Sequence, residues 1–226
     1  MTQHAASFQS LVRERHSVRK FLDTPVPNEL MEAVLNDAQC SPSNCNTQPW
    51  QVHIVSGEKL KQLSAALQEA HSASQETPDF YFDMTEYPAP YDERNWGAAK
   101  ARYDALGIGR EDKAARAANQ RLNLDFFDAP HVALLFMPQF GDGVRVAGDL
   151  GMYGQTFLLS LTARGLGGIP QTMLGMYADT IRTVLGIAPQ EKMLYGISFG
   201  YPDKTAAVNN FRVGRVPIEE SVTYHQ

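Results

Sequence analysis

Four stretches of the chain carry side chains able to hold a ligand. In RERHSVRKF (residues 13–21), Arg13, Arg15, His16 and Arg19 fall within seven positions, and Ser17 adds a hydroxyl. Guanidinium groups suit bidentate contact with phosphate or carboxylate, so this run can bind an anion; local composition alone favours the solvated end of a helix. SPSNCNTQPW (41–50) sets Ser, Asn and Gln side chains between two prolines. Their donors and acceptors match the polar edge of a planar heterocycle, although turn chemistry alone produces the same composition. A nucleophilic role for Cys45 would need a base beside it, and no His–Asp partner is recognisable in the sequence. The glycines of GGIPQTMLG (167–175) let a ligand approach the backbone closely, or mark a strand-to-loop transition. NNFRVGRVPIEE (209–220) carries Arg212 and Arg215, either surface charges or the completion of an anion site begun by Arg15 and Arg19.

The elements that must hold these stretches follow from hydrophobic spacing. Leu30, Met31, Val34, Leu35 and Ala38 share one face of a helix over 28–39, with Asn28 as its expected N-cap. WQVHIV (50–55) reads as a strand, Leu60, Leu63 and Leu67 mark a helix over 58–71, and HVALLFM (131–137) reads as a buried strand. GDLGMYGQTFLLSLTARG (148–165) is an apolar helix stopped by Gly165. Strands are expected around 167–172 and 193–199, separated by a short helix capped by Asp179, and the tail from Asn209 is polar and extended. Residues 72–98 show neither helical nor strand period and predict a long irregular excursion, with helical character resuming over 99–124. Aromatic side chains of 80–106 can stack on a planar substrate while Arg94 or Arg102 pairs with its carboxylate, unless the segment is a structural cover. The absence of regular βαβ alternation predicts an α+β fold.

The 226 residues are 43% hydrophobic and 20% charged, the composition of an ordinary globular protein. A net charge of −5, from 20 basic and 25 acidic residues, lacks the broad positive field that nucleic acid requires. No apolar run reaches the roughly 18 residues of a membrane span, and the N-terminus lacks an apolar signal core, so no membrane partner and a cytoplasmic location are expected. Two cysteines and six scattered histidines, without HExxH or CxxC, predict no metal site.

Taken in this order, RHSVRKF, SPSNCNTQPW and the GISFGYPDK…RVGRVPIEE ending resemble the nitroreductase family of FMN-dependent flavoproteins over nearly the whole chain. The likeness is greatest to bacterial nitroaromatic and nitrobenzoate reductases, and more distant to the iodotyrosine deiodinase branch. It implies a nitroreductase-like FMN-binding sandwich: a single domain over 1–226, with a lid insertion around 72–110 and a C-terminal arm around 205–226. It also implies a domain-embracing homodimer built on the long apolar helix, with FMN sites at the interface. On this resemblance Arg15, His16 and Ser17 hold the FMN phosphate and ribityl chain. Arg19 lies at the pyrimidine edge, where a cation favours the negatively charged reduced flavin. Pro42, Ser43 and Asn44, with Asn46 and Gln48, contact the isoalloxazine and rim the substrate site. Pro170, Gln171 and Thr172 form the segment that turns a backbone N–H toward flavin N5. Arg215 closes on the phosphate, and Arg212 stands in for a Lys that relatives carry where this chain has Val213. Cys45, Tyr91, Arg94, Trp96 and Tyr103 are the expected substrate contacts. The implied activity is reduction of nitroaromatic or quinone-like acceptors by NAD(P)H in a ping-pong mechanism, the flavin doing the hydride chemistry without a catalytic side chain. Two alternatives stay open: a reductive dehalogenase-like one-electron reductase, suggested by Thr172, and an FMN-binding module without turnover.

Overall fold

The computed structural model describes residues 3–226. The chain enters through α1 (Gln3–Glu14) and α2 (Asn28–Gln39), then forms β1 (Gln51–Ser56) and α3 (Gly57–Ser72). A long excursion leads to α4 (Tyr91–Ala105) and α5 (Lys113–Arg121), followed by β2 (His131–Pro138) and α6 (Val144–Ala163). The last elements are β3 (Gly167–Gln171), the single turn α7 (Thr172–Gly175), α8 (Ala178–Leu185) and β4 (Glu191–Gly200). The four strands form one antiparallel sheet in the order β1-β2-β4-β3.

The sheet is covered on both faces, and β2 shows why. Its residues from His131 to Met137 are all buried. Side chains alternate across a strand, so Val132, Leu134 and Phe136 point one way, into a core with Leu63 and Leu67 of α3 and Ile181 of α8. Ala133, Leu135 and Met137 point the other way, against Val34 and Ala38 of α2 and Leu150, Tyr153, Phe157 and Leu161 of α6. Each large side chain so buried contributes about 1.5–3 kcal/mol, which makes this helix–sheet–helix packing the main source of stability. It is an α+β fold, as expected. Close packing of α6 requires Gly154: a Cβ there would sit 2.0 Å from the Tyr195 hydroxyl, which reaches across to donate to Leu150 O at 3.1 Å.

The basic run lies along the sheet edge. Ser17 bridges Gly168 of β3, Val18 N–H donates to Gly168 O at 3.2 Å, and Phe21 bridges Pro202 just past β4. Gly167 permits this, since a Cβ there would press to 2.5 Å from Val18 Cγ2.

Several boundaries differ from the sequence reading. Pro27, not Asn28, precedes the first turn of α2, and no side chain caps it. Tyr177 holds the cap position of α8; the Asp179 carboxylate reaches Arg182 at 2.6 Å instead of the backbone. α6 begins four residues before the expected 148, at the left-handed Gly143. Residues 91–98 are helical, not irregular: Pro90 precedes the first turn, and Asp92 and Glu93 suit the positive helix N-terminus. The helical stretch after 99 is split, because Gly107 takes φ 67° and ends α4 before α5 begins. No residue of α4 is buried, so it has no apolar stripe for periodicity to detect.

Candidate active site

Arg15, His16, Arg19, Arg212 and Arg215 are brought together from the two ends of the chain. Asn209 is the clasp: its Oδ1 accepts from Arg19 N–H at 2.8 Å, and its amide nitrogen donates to Lys20 O at 2.7 Å. Among the described residues none of the four arginines forms an ion pair. Their mutual repulsion is evident in their acidities. Burial, then the charge of Arg215, lowers the Arg15 pKa. Burial, reinforced by Arg212, Arg15 and Arg19, lowers that of His16 against the opposing hydrogen bond to Glu14 O. Burial and the charge of Arg102 push Arg19 down to about 10, and its buried Nε has no hydrogen-bond partner. Uncompensated cations with an orphaned buried donor form a site for an anion.

Arg19 also lines a cavity of about 750 Å3, whose walls include Trp96, Arg102 and Tyr103 of α4, Arg116 of α5, Asn123, Thr172, Met173, Met176 and Tyr177. Thr172 follows directly on the edge strand β3, and Pro170 before it is exposed and has no N–H to donate. The Gln171 side chain is committed elsewhere: its amide nitrogen donates to Asn123 O at 2.9 Å, and its oxygen accepts from buried Ser198. Gln171 therefore ties the cavity floor to β4 and offers a ligand only its main chain.

The 42–48 loop is built differently. Cys45, Asn46 and Gln48 adopt left-handed conformations at φ 51°, 56° and 47°, each uncommon for a residue with a Cβ. Side chains fix it at two points: Gln48 N–H donates to Ser43 Oγ at 2.9 Å, and Asn44 N–H donates to buried Asp149 Oδ1 of α6 at 3.0 Å, while Asn46 N–H and Thr47 N–H close turns onto Ser43 O and Asn44 O. Pro42, Asn44, Cys45, Asn46 and Gln48 are exposed, and no residue of the loop lines the cavity. A single chain thus joins the basic run, the tail and the 170–172 segment, but leaves the polar loop apart.

Of the expected substrate contacts, Trp96 and Tyr103 line the cavity. Tyr91 and Arg94 lie earlier on α4, outside the lining, and Arg94 donates to Glu220 at 2.9 Å, tying the tail to the helix. Asn123, Arg116, Met173, Met176 and Tyr177 were not anticipated as lining residues; continuing the GGIPQT motif through α7 and the two residues after it would have found the last three. The excursion is rooted by Asp79, 5% exposed, which accepts from Arg182 at 2.6 Å and from Met193 N–H at 2.8 Å.

Comparison with known proteins is consistent with this geometry. The profile of the nitroreductase family matches residues 12–201. Nitroreductase NfnB of Mycolicibacterium smegmatis is 41% identical over 220 residues, covering 97% of this chain and 93% of that protein. A 4-nitrobenzoate reductase of Pseudomonas putida is 34% identical over 208 residues, covering 92% of this chain and 91% of the relative. The crystal structure of the FMN-dependent nitroreductase NfnB from Mycobacterium smegmatis in complex with NADPH superposes with a TM-score of 0.95 at 40% identity. It covers 99% of this chain and 100% of that one.

Proposed function

The chain belongs to the nitroreductase family, and from that premise we propose that it is an FMN-dependent NAD(P)H oxidoreductase reducing nitroaromatic or quinone-like acceptors. The observation that carries the cofactor is the unpaired cation cluster with the orphaned Arg19 Nε, which fits a phosphate-bearing, electron-rich ligand. When bound, FMN supplies the two-electron chemistry between donor and acceptor. Arg15, His16, Ser17, Arg212 and Arg215 bind the phosphate and ribityl chain, and Arg19 faces the pyrimidine edge. The main chain at Gln171 and Thr172, following the N–H-less Pro170, orients the ring. Pro42, Ser43, Asn44, Asn46 and Gln48 cover the flavin, with Cys45 toward the substrate.

That loop comes from a second copy of the chain. Two features support a homodimer: the loop's separation from the cavity, and the exposed face of α6 at Val144, Gly148, Gly151 and Met152. Residues 72–110 act as a lid and 205–226 as an arm of a single domain. Trp96 and Tyr103 receive the acceptor, while Arg94 earlier on the helix ties the arm to the lid through Glu220. Donor and acceptor take turns in one cavity, a ping-pong order.

The purified protein is expected to be yellow, to release FMN on denaturation and, under anaerobic conditions, to turn over NAD(P)H when a nitroaromatic or quinone is supplied. Flavin without acceptor-dependent oxidation would make it a binding module; protein that cannot be loaded with FMN would end the reading.

A further inference from the structure

We propose that Arg102 and Arg116 form a carboxylate handle, selecting aromatic acceptors that bear an acidic group. This rests on the oxidoreductase reading and names its substrate class. Both guanidinium groups lie against one ring: their Cζ atoms are 4.7 Å and 4.8 Å from the Tyr103 centroid. Both line the cavity beside Arg19. Among the described residues neither makes an ion pair, although the chain supplies carboxylates to Arg94, Arg164 and Arg182. The Arg102 Nε is buried without a partner, and Arg116 Nη1 donates only to Arg110 O at 3.2 Å.

Two carboxylates share the cavity wall with three arginines, and among the described residues neither pairs with Arg102 or Arg116. Asp83 is engaged by Thr85, accepting its N–H and its hydroxyl at 2.8 Å each, and Glu76 lies beside the Tyr177 hydroxyl. Two like charges held against one ring repel, and an anion in the cavity that contacts both relieves the repulsion. The remaining wall sets the rest of the ligand. Trp96, Met173 and Met176 offer flat and polarisable surfaces for an aromatic ring, and fork-shaped guanidinium groups match a carboxylate attached to it. The sequence offered Arg94 or Arg102 for a substrate carboxylate and favoured Arg94 as a substrate contact; Glu220 occupies Arg94.

The test compares 4-nitrobenzoate with its neutral amide, using FMN-loaded wild type, Arg102→Gln, Arg116→Gln and the double variant. The two acceptors differ in intrinsic ease of reduction, but that difference is common to all four proteins, so the ratio of their kcat/KM values isolates the contact. The ratio is expected to fall roughly tenfold in Arg102→Gln and further in the double variant, the scale of a charge-assisted hydrogen bond. Arg102→Glu is expected to shift preference toward 4-nitrobenzylamine. Benzoate, which cannot be reduced, gives a readout independent of turnover: calorimetric affinity for the loaded protein should fall by a similar factor, with benzamide unaffected.

A parallel loss on acid and amide, or an unchanged ratio and benzoate affinity, would overturn the handle. So would a changed NADPH-to-NADH preference with an unchanged acid-to-amide ratio, which assigns these arginines to the donor's phosphate. If wild type oxidises NAD(P)H with neither acceptor, the oxidoreductase reading fails, and the benzoate titration still decides whether the handle exists.

Discussion

Arg215 illustrates how a side chain can serve a ligand at the expense of the empty protein. It is exposed, bonded only to the neighbouring carbonyls of Val213 and Gly214 at 3.0 Å each, and its charge disfavours protonated Arg15. Arg215→Ala should therefore raise the FMN dissociation constant by the equivalent of about 1.5–3 kcal/mol, the scale of a hydrogen bond to a charged group. The cofactor-free protein should be no less heat-stable than wild type. Fluorescence titration and thermal melts read the two effects separately; lowered stability of the apoprotein with unchanged FMN affinity would make Arg215 structural. His131 gives a pH dependence. Its Nε2 accepts from Val26 N–H at 2.9 Å, its Nδ1 is buried without a partner, and burial lowers its pKa. As pH falls through the ordinary histidine value of about 6.5, the unfolded chain takes up a proton that the folded imidazole refuses, and stability declines until the folded pKa is reached. Above that window the group contributes nothing to the slope. Denaturant unfolding at pH 7.5 and 5.5 should show a larger loss for wild type than for His131→Gln, which keeps an acceptor but cannot titrate; equal losses would assign the acid sensitivity elsewhere.

Elements differ in what secures them. The excursion before α4 depends on the Asp79–Arg182 pair, with side chains 5% and 8% exposed. Burial alone would raise the Asp79 pKa; hydrogen bonds from Arg182, Met193 N–H and Lys192 outweigh it and hold the carboxylate below its ordinary value. Asp79→Ala removes the buried partner of Arg182 and leaves it only the solvent-exposed Asp179, so the substitution should cost about 3 kcal/mol, the lower end for a broken buried pair. Protection from hydrogen exchange should be lost first around 76–90 and α8; uniform loss across the sheet would refute a local root. The same contrast governs what the sequence disclosed. β2 and α6 were legible because their apolar residues answer to two faces of a sheet and one core. α4 was not, because its start is set by Pro90, Asp92 and Glu93 and it buries nothing. The basic run, open on its own between an anion site and a solvated helix end, was legible as a phosphate site only through the resemblance carried by the other motifs. Asp149 was hidden inside an apolar helix, and nothing local shows that it supports a loop at Asn44. Arg116 was hidden because proximity to Tyr103 depends on how α5 folds back after Gly107.

At the scale of the whole molecule, the proposed dimer depends on a flat face of α6. A Cβ at Gly151 would meet no atom within 4 Å, so Gly151→Arg should leave a folded single chain intact. Against a second copy it would clash, and the expected product is a folded monomer without FMN. Size-exclusion chromatography, circular dichroism and flavin content check this; a yellow dimer would move the interface elsewhere. The cavity is divided between two kinds of wall. Arg19 and the residues from Thr172 to Tyr177 belong to segments packed on the sheet, whereas Trp96, Arg102 and Tyr103 stand on a helix none of whose residues is buried. Mutational drift therefore meets unequal resistance. Substitutions on the sheet side disturb the core, while those on α4 leave it untouched, usually changing stability by no more than about 0.5 kcal/mol. Descendants of this sequence can exchange one oxidant for another by altering α4 and Arg116 of α5, while inheriting the sheet-side floor unchanged.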